Sequence, residues 1–117
     1  MGRYRGWMPT ALLNDDAIRP TEYTHWAAAR RRFERREKDA AILANLLETI
    51  PHQGLAVPIT LGVSDRDGAV YVADGHHRAV ALLLLRAPRF PFHWYWIKSA
   101  GVHIEKRPFP YHLIPGE

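Results

Sequence analysis

Residues Val70 to Ala81 (VYVADGHHRAVA) constrain the fold of this chain more than any other segment. An apolar run of strand character ends in the turn pair Asp74-Gly75, and a helix starts at once with His76, His77 and Arg78. The first amides of a helix have no partner inside it, and the helix dipole is positive at that end. Gly75 lets the backbone come close to a ligand, and Arg78 offers a guanidinium fork suited to phosphate oxygens. Strand, glycine turn and basic helix start together describe an anion site, most naturally for the phosphate of a nucleotide. The plainer alternative is an ordinary Asp-Gly turn, with Asp74 capping the helix by accepting the amide of His76 or His77.

The same segment resembles the signature of the ParB/sulfiredoxin superfamily, whose members carry GxxR at this strand-to-helix junction and in some cases DGHxR. Upstream, Ala40 to Ile50 is similar to the LxxSI helix of that family. His52 to Leu55 and Val57 to Ile59 resemble its GLxxPI continuation into a strand. The resemblance covers residues 38–97. It implies one α+β domain over residues 1–117, with a small mixed β-sheet packed with helices. Residues 1–37 would form a divergent N-terminal strand and basic helix, and residues 98–117 a C-terminal tail. The superfamily spans CTP-binding partition proteins, a sulfinic-acid reductase, a free-serine kinase and nucleases. The reductase needs a cysteine where this chain has His76, so its chemistry is excluded. Partition proteins carry GERR where this chain has Gly75-His76-His77-Arg78, together with further downstream elements. A complete partition protein is therefore not expected.

What the resemblance implies is a module binding a nucleotide or another phosphorylated small molecule, through Gly75, His76, His77 and Arg78, in a DNA-associated or regulatory setting. The second reading is an enzyme, a phosphotransferase or phosphodiesterase. Asp74 is central to the choice, because a carboxylate beside a bound phosphate repels it unless a cation bridges them. Asp74 is thus a candidate ligand for Mg²⁺ carried in with CTP or ATP, or a candidate proton acceptor. His76 and His77 are the alternative acid-base groups. In the serine-kinase relatives an upstream Glu takes part in catalysis, and Glu22 is the acid available for that part here.

Charge adds a third reading. The net charge of +4 equals that of Arg30 to Lys38 alone, where six bases face Glu34 and Glu37. A solvated helix face is the common meaning of such a run. A nucleic-acid backbone, held by Arg31, Arg32, Arg35 and Arg36, is the functional one. The seven histidines show no zinc-type spacing, and neighbouring His76 and His77 diverge by about 100° on a helix. With no cysteine there is no disulfide or thiolate site, and the chain suits the cytoplasm. No run is long and apolar enough for a membrane span, so no membrane partner is expected.

Pattern supplies the remaining elements. A strand is expected over Trp7–Leu13 and a loop over Ile18–Glu22. One long helix or two abutting ones should fill residues 23–50, stopped by Pro51. Strands are expected over Pro58–Val63 and Ala69–Ala73, then a buried helix over Gly75–Arg86. In the strand Phe90–Lys98, the rings of Phe90, Phe92, Trp94 and Trp96 share one face. That face is either core or, less commonly, a platform for nucleobases. The proline-rich tail reads as an edge strand or an irregular clasp.

Overall fold

The computed structural model describes residues 6–55, 57–98, 101–104 and 109–114. Strand β1 (Gly6–Pro9) leads through a 3-10 turn (Thr10–Leu12) to β2 (Ile18–Pro20). Two helices follow, α1 (Trp26–Arg35) and α2 (Glu37–Gln53), then β3 (Ile59–Ser64) and β4 (Val70–Asp74). Helix α3 (His76–Leu85), β5 (Arg89–Lys98), β6 (Gly101–Ile104) and a second 3-10 turn (Tyr111–Leu113) complete the chain. The six strands form one mixed sheet in the order β1-β5-β3-β4-β2, with β6 also on β5. Pairings β3–β5 and β2–β4 are parallel, and the others antiparallel. The molecule is an α+β domain with a small mixed sheet packed with helices, as expected.

Register explains where the core sits. Leu61 of β3 lies between Val72 of β4 and Trp94 of β5, and Ile59 lies beside Phe92. Period-two alternation then puts Met8, Ile18, Leu61, Val72, Phe92 and Trp94 on one face, each at most 1% exposed. Helical residues Ala29, Phe33, Leu43 and Ala79 to Leu82 join them in a single core. Burying each large side chain stabilises the fold by about 1.5–3 kcal/mol. The rings of Phe90, Phe92 and Trp94 are therefore core, and they are closed off further by Phe109, whose ring meets Phe92 and Trp94 edge-on. A base-stacking platform on that face is ruled out by burial.

Several boundaries differ from those expected. The first strand stops at Pro9, because the chain turns at Thr10 rather than running on to Leu13. The segment expected as a loop contains β2, a three-residue edge strand pairing in parallel with Val70–Val72. Pro20 is tolerated there because an edge strand leaves one side of its backbone unpaired. Pro51 does not stop α2; the helix continues to Gln53 and ends at Gly54, which has φ +73°. The run Arg30–Lys38 is not one basic helix. Arg36 is extended (φ −88°, ψ 128°) and separates α1 from α2, so the bases fan out around a corner. The described residues 109–114 of the tail place Phe109 and Ile114 in the core, which makes the tail a clasp. No helix among the described residues is long and apolar enough to cross a membrane.

Candidate anion pocket

Strand β4 ends where its pairing with β3 shifts, bringing Asp74 opposite Thr60. Gly75 follows in the left-handed region (φ 107°, ψ 31°) and is the residue from which α3 starts. That conformation is cheap only for glycine. The carbonyl of Gly75 accepts the amide of Ala79 at 2.8 Å, which sets the first helical turn. No side chain caps the helix. Asp74, the expected cap, instead points outward with 78% of its side chain exposed, and its carboxylate stands 3.5 Å from Nη2 of Arg78. The strand-to-helix turn is too abrupt for a residue one position before the cap to reach back to the amides.

Arg78 folds back over this turn. Its side chain is only 19% exposed. A Cβ placed on Gly75 would lie 2.9 Å from Nη2 and 3.0 Å from Nε of Arg78. The glycine is thus required twice, for its backbone angle and for the room that the guanidinium occupies. The Nε atom is buried without a hydrogen-bond partner. A buried donor left unpaired costs about 1–3 kcal/mol, so this one calls for an acceptor that the described residues do not supply.

The two histidines part company as their spacing requires. His76 turns toward the segment after β2, where its Nε2 accepts the backbone N–H of Thr21 at 3.0 Å. The Thr21 hydroxyl in turn donates to the Val72 carbonyl. Accepting through Nε2 puts the ring proton on Nδ1 and makes the imidazole neutral. Burial pushes its pKa below the ordinary value; the carboxylates of Glu22 and Asp74 oppose that shift, and neighbouring His77 adds to it. His77 turns the other way, stacks on Phe33 and places Nε2 2.9 Å from Oδ1 of Asp39 at the start of α2.

Between these groups lies a cavity of about 460 Å³, within the usual range for small-ligand sites. Glu22, Asp74, Gly75, His76, His77 and Arg78 all line it, and Tyr23, Phe33, Ile42 and Leu46 supply an apolar wall. The site residues expected around the motif are thus gathered in one place, Glu22 included. The four arginines are elsewhere. Arg32, Arg35 and Arg36 line a second cavity of about 290 Å³ with Tyr23 and Ala28, and Arg31 is exposed and lines neither. Tyr23, Phe33 and Asp39 are site residues that sequence reasoning missed. Phe33 carries only a core signal, and Asp39 stands 38 positions from His77 with no periodic relation to it.

No cluster of three His, Cys, Asp or Glu side chains among the described residues could hold a metal ion by itself. Asp74 and Glu22 are the carboxylates on the cavity wall. They fit a Mg²⁺ ion that takes its remaining ligands from phosphate oxygens and water, and they do not form a cage that would retain the metal alone. The charge of Asp74 also reaches Tyr95 of β5, whose hydroxyl is held above its ordinary pKa by burial first and by Asp74 second.

Several solved structures share this fold, among them a sulfiredoxin and a partition protein. Sulfiredoxin from Arabidopsis thaliana is similar over 78% of this chain and 83% of its own, at 22% identity and a TM-score of 0.51. The C-terminally truncated chromosome-partitioning protein ParB from Caulobacter crescentus, complexed with CTP-γ-S, is similar at 22% identity and a TM-score of 0.52. That likeness covers 83% of this chain and 47% of ParB, so the chain spans about half of the partition protein's length. No protein-family model and no curated protein sequence matches the chain. At this identity the likeness shows the fold and leaves activity to the site itself.

Proposed function

We propose that this ParB/sulfiredoxin-like domain binds a nucleotide or another phosphorylated small molecule, with the phosphate held at the start of α3. The observation that carries the reading is the Arg78 guanidinium, packed against Gly75 with a buried and unpartnered Nε beside uncapped helix amides. A phosphate in the cavity would supply the acceptor that Nε lacks and would sit at the positive end of the helix. The neutral His76 has its Nδ1–H left to donate. The apolar wall of Tyr23, Phe33, Ile42 and Leu46 is suited to the rest of the ligand, a base or sugar face. Mg²⁺ bridging the phosphate to Asp74 and Glu22 would offset the two carboxylates there. The CTP analogue in the ParB structure supports a nucleotide, CTP or ATP, as the first ligand class to try.

A second reading, phosphoryl transfer or phosphodiester cleavage, is favoured by the His77–Asp39 pair. A carboxylate 2.9 Å from Nε2 fixes the ring and leaves its other nitrogen, Nδ1, as the one for proton transfer. In that reading His77 or Asp74 accepts the proton of the attacking hydroxyl or water. A thermal-shift panel of nucleotides with and without Mg²⁺ tests binding, since a ligand stabilises by RT ln(1 + [L]/Kd). No shift with any nucleotide or with inorganic phosphate would refute the proposal. Phosphate release during incubation would select the enzyme over the binder.

A further inference from the structure

Tyr23 stands between the two cavities and lines both of them. On one side its ring meets His76 edge-on at 5.9 Å, within the phosphate pocket. On the other, the Arg32 guanidinium lies over the same ring at 5.9 Å from its centroid. Ala28, Arg32 and Arg35 follow each other at the spacing of one face of α1, and extended Arg36 comes next at its end, so the bases of the second cavity run from the tyrosine to the corner between the helices. The opposite face of α1 is apolar, with Trp26, Ala29 and Phe33 buried. Among the described residues, none of Arg32, Arg35 and Arg36 forms an ion pair with a carboxylate, whereas Arg30 pairs with Glu34 at 3.3 Å. Three cations left unpaired around one hollow repel each other, and an anion in that hollow relieves the repulsion.

We propose that the Arg32-Arg35-Arg36 hollow is a second anion subsite, joined to the Arg78 pocket across Tyr23, and that the ligand therefore carries more than one phosphate. Resting on the phosphate reading of the first pocket, this names the ligand class as a nucleoside polyphosphate or a short run of nucleic-acid backbone. The first phosphate sits at the α3 start, later ones pass the tyrosine edge, and the arginines hold them. Guanidinium forks are matched to phosphate oxygens in pairs, which fits a chain of phosphates better than a lone carboxylate.

The test compares three ligands: a nucleoside monophosphate, the matching triphosphate at constant Mg²⁺, and a 5′-phosphorylated oligonucleotide. In the parent protein the triphosphate or the oligonucleotide should bind about tenfold or more tighter than the monophosphate. In the variant R32Q/R35Q/R36Q that step should vanish, and the affinities should converge. The residues are exposed, and far-ultraviolet dichroism checks that the variant is folded. The charge-preserving variant R32K/R35K/R36K should keep only part of the step, because lysine supplies the charge without the paired donors. Loss of the triphosphate step identifies the nucleotide as the source, and loss confined to the oligonucleotide, with a flatter salt dependence, identifies nucleic acid. A step that survives the triple Gln variant overturns the second subsite. Arg78→Ala separates the two ideas, because it should weaken all three ligands together. If it leaves the monophosphate untouched while the Gln variant still removes the step, the first pocket's assignment fails and the second stands.

Discussion

The imidazole of His77 lies flat on the ring of Phe33, with centroids 4.0 Å apart and planes 14° from parallel. The stack joins the first turn of α3 to the last turn of α1, and the bond from His77 to Asp39 adds α2 to the same junction. Three helices therefore meet at one side chain on the cavity wall. Phe33→Ala should cost about 3–5 kcal/mol in urea unfolding, the range for a buried aromatic. Asp39→Ala should cost about 1 kcal/mol, through one part-buried hydrogen bond. An Asp39→Ala protein as stable as the parent would mean that the pair does not hold α3.

Arg78 sets function against stability. Its buried Nε lacks a partner, so a side chain of similar length without polar atoms removes a penalty. Arg78→Met should leave the ligand-free protein as stable as the parent or up to about 1 kcal/mol more stable. The same change should weaken phosphate or nucleotide binding by about 1.5–3 kcal/mol. Calorimetric melting with and without ligand reads both effects. A marked loss of stability without ligand would make Arg78 a structural residue.

Gly75→Ala is expected to fail in two ways at once. The left-handed angle strains any residue with a Cβ, at a cost of about 1–3 kcal/mol, and the methyl group displaces the guanidinium. Stability and ligand affinity should therefore fall together in this variant. In Arg78→Met they should separate. Finding full affinity in Gly75→Ala would show that the close packing of Arg78 on the turn is not needed.

His76 gives the fold a dependence on acid. Its folded pKa lies below the unfolded value of about 6.5, so the unfolded chain binds the proton more readily. Stability from this group is full above the unfolded pKa and is lost as pH falls toward the lower folded value. Protonation also removes the acceptor for the Thr21 amide. His76→Gln, which cannot take up that proton, should flatten the stability profile over this interval. An unchanged profile would place the sensitive group elsewhere.

The parts of this molecule that could be read from sequence are those in which local pattern and tertiary need agree. Asp74-Gly75 after a strand-like run, followed by His-His-Arg and seven apolar residues, yields β4 and α3 nearly to the residue. The rings at alternate positions of β5 likewise announce a buried face. Local pattern fails where partners are distant. Ile18–Pro20 becomes a strand only because Val70–Val72 lies beside it, some fifty residues later. Asp74 looks like a cap in one dimension, while the backbone at Gly75 turns it outward. The gathering of Glu22 with the motif was expected from resemblance alone, and the companions Phe33, Asp39 and Tyr23 arrive through helix packing that no spacing records.

Strand β2 has three residues and one neighbour, and Glu22 and Tyr23 follow it directly after Thr21. Short edge strands belong to the low end of local stability, opening without the rest of the molecule. One side of the cavity is thus suspended from a short edge segment, anchored in the core by Ile18 and tied at its end by the Thr21 contacts to His76 and Val72. A brief release of this tie would widen the cavity without any global motion. The Thr21 amide is then the reporter: its hydrogen-exchange rate should be among the faster ones of the sheet in the free protein and should slow sharply once the cavity is filled.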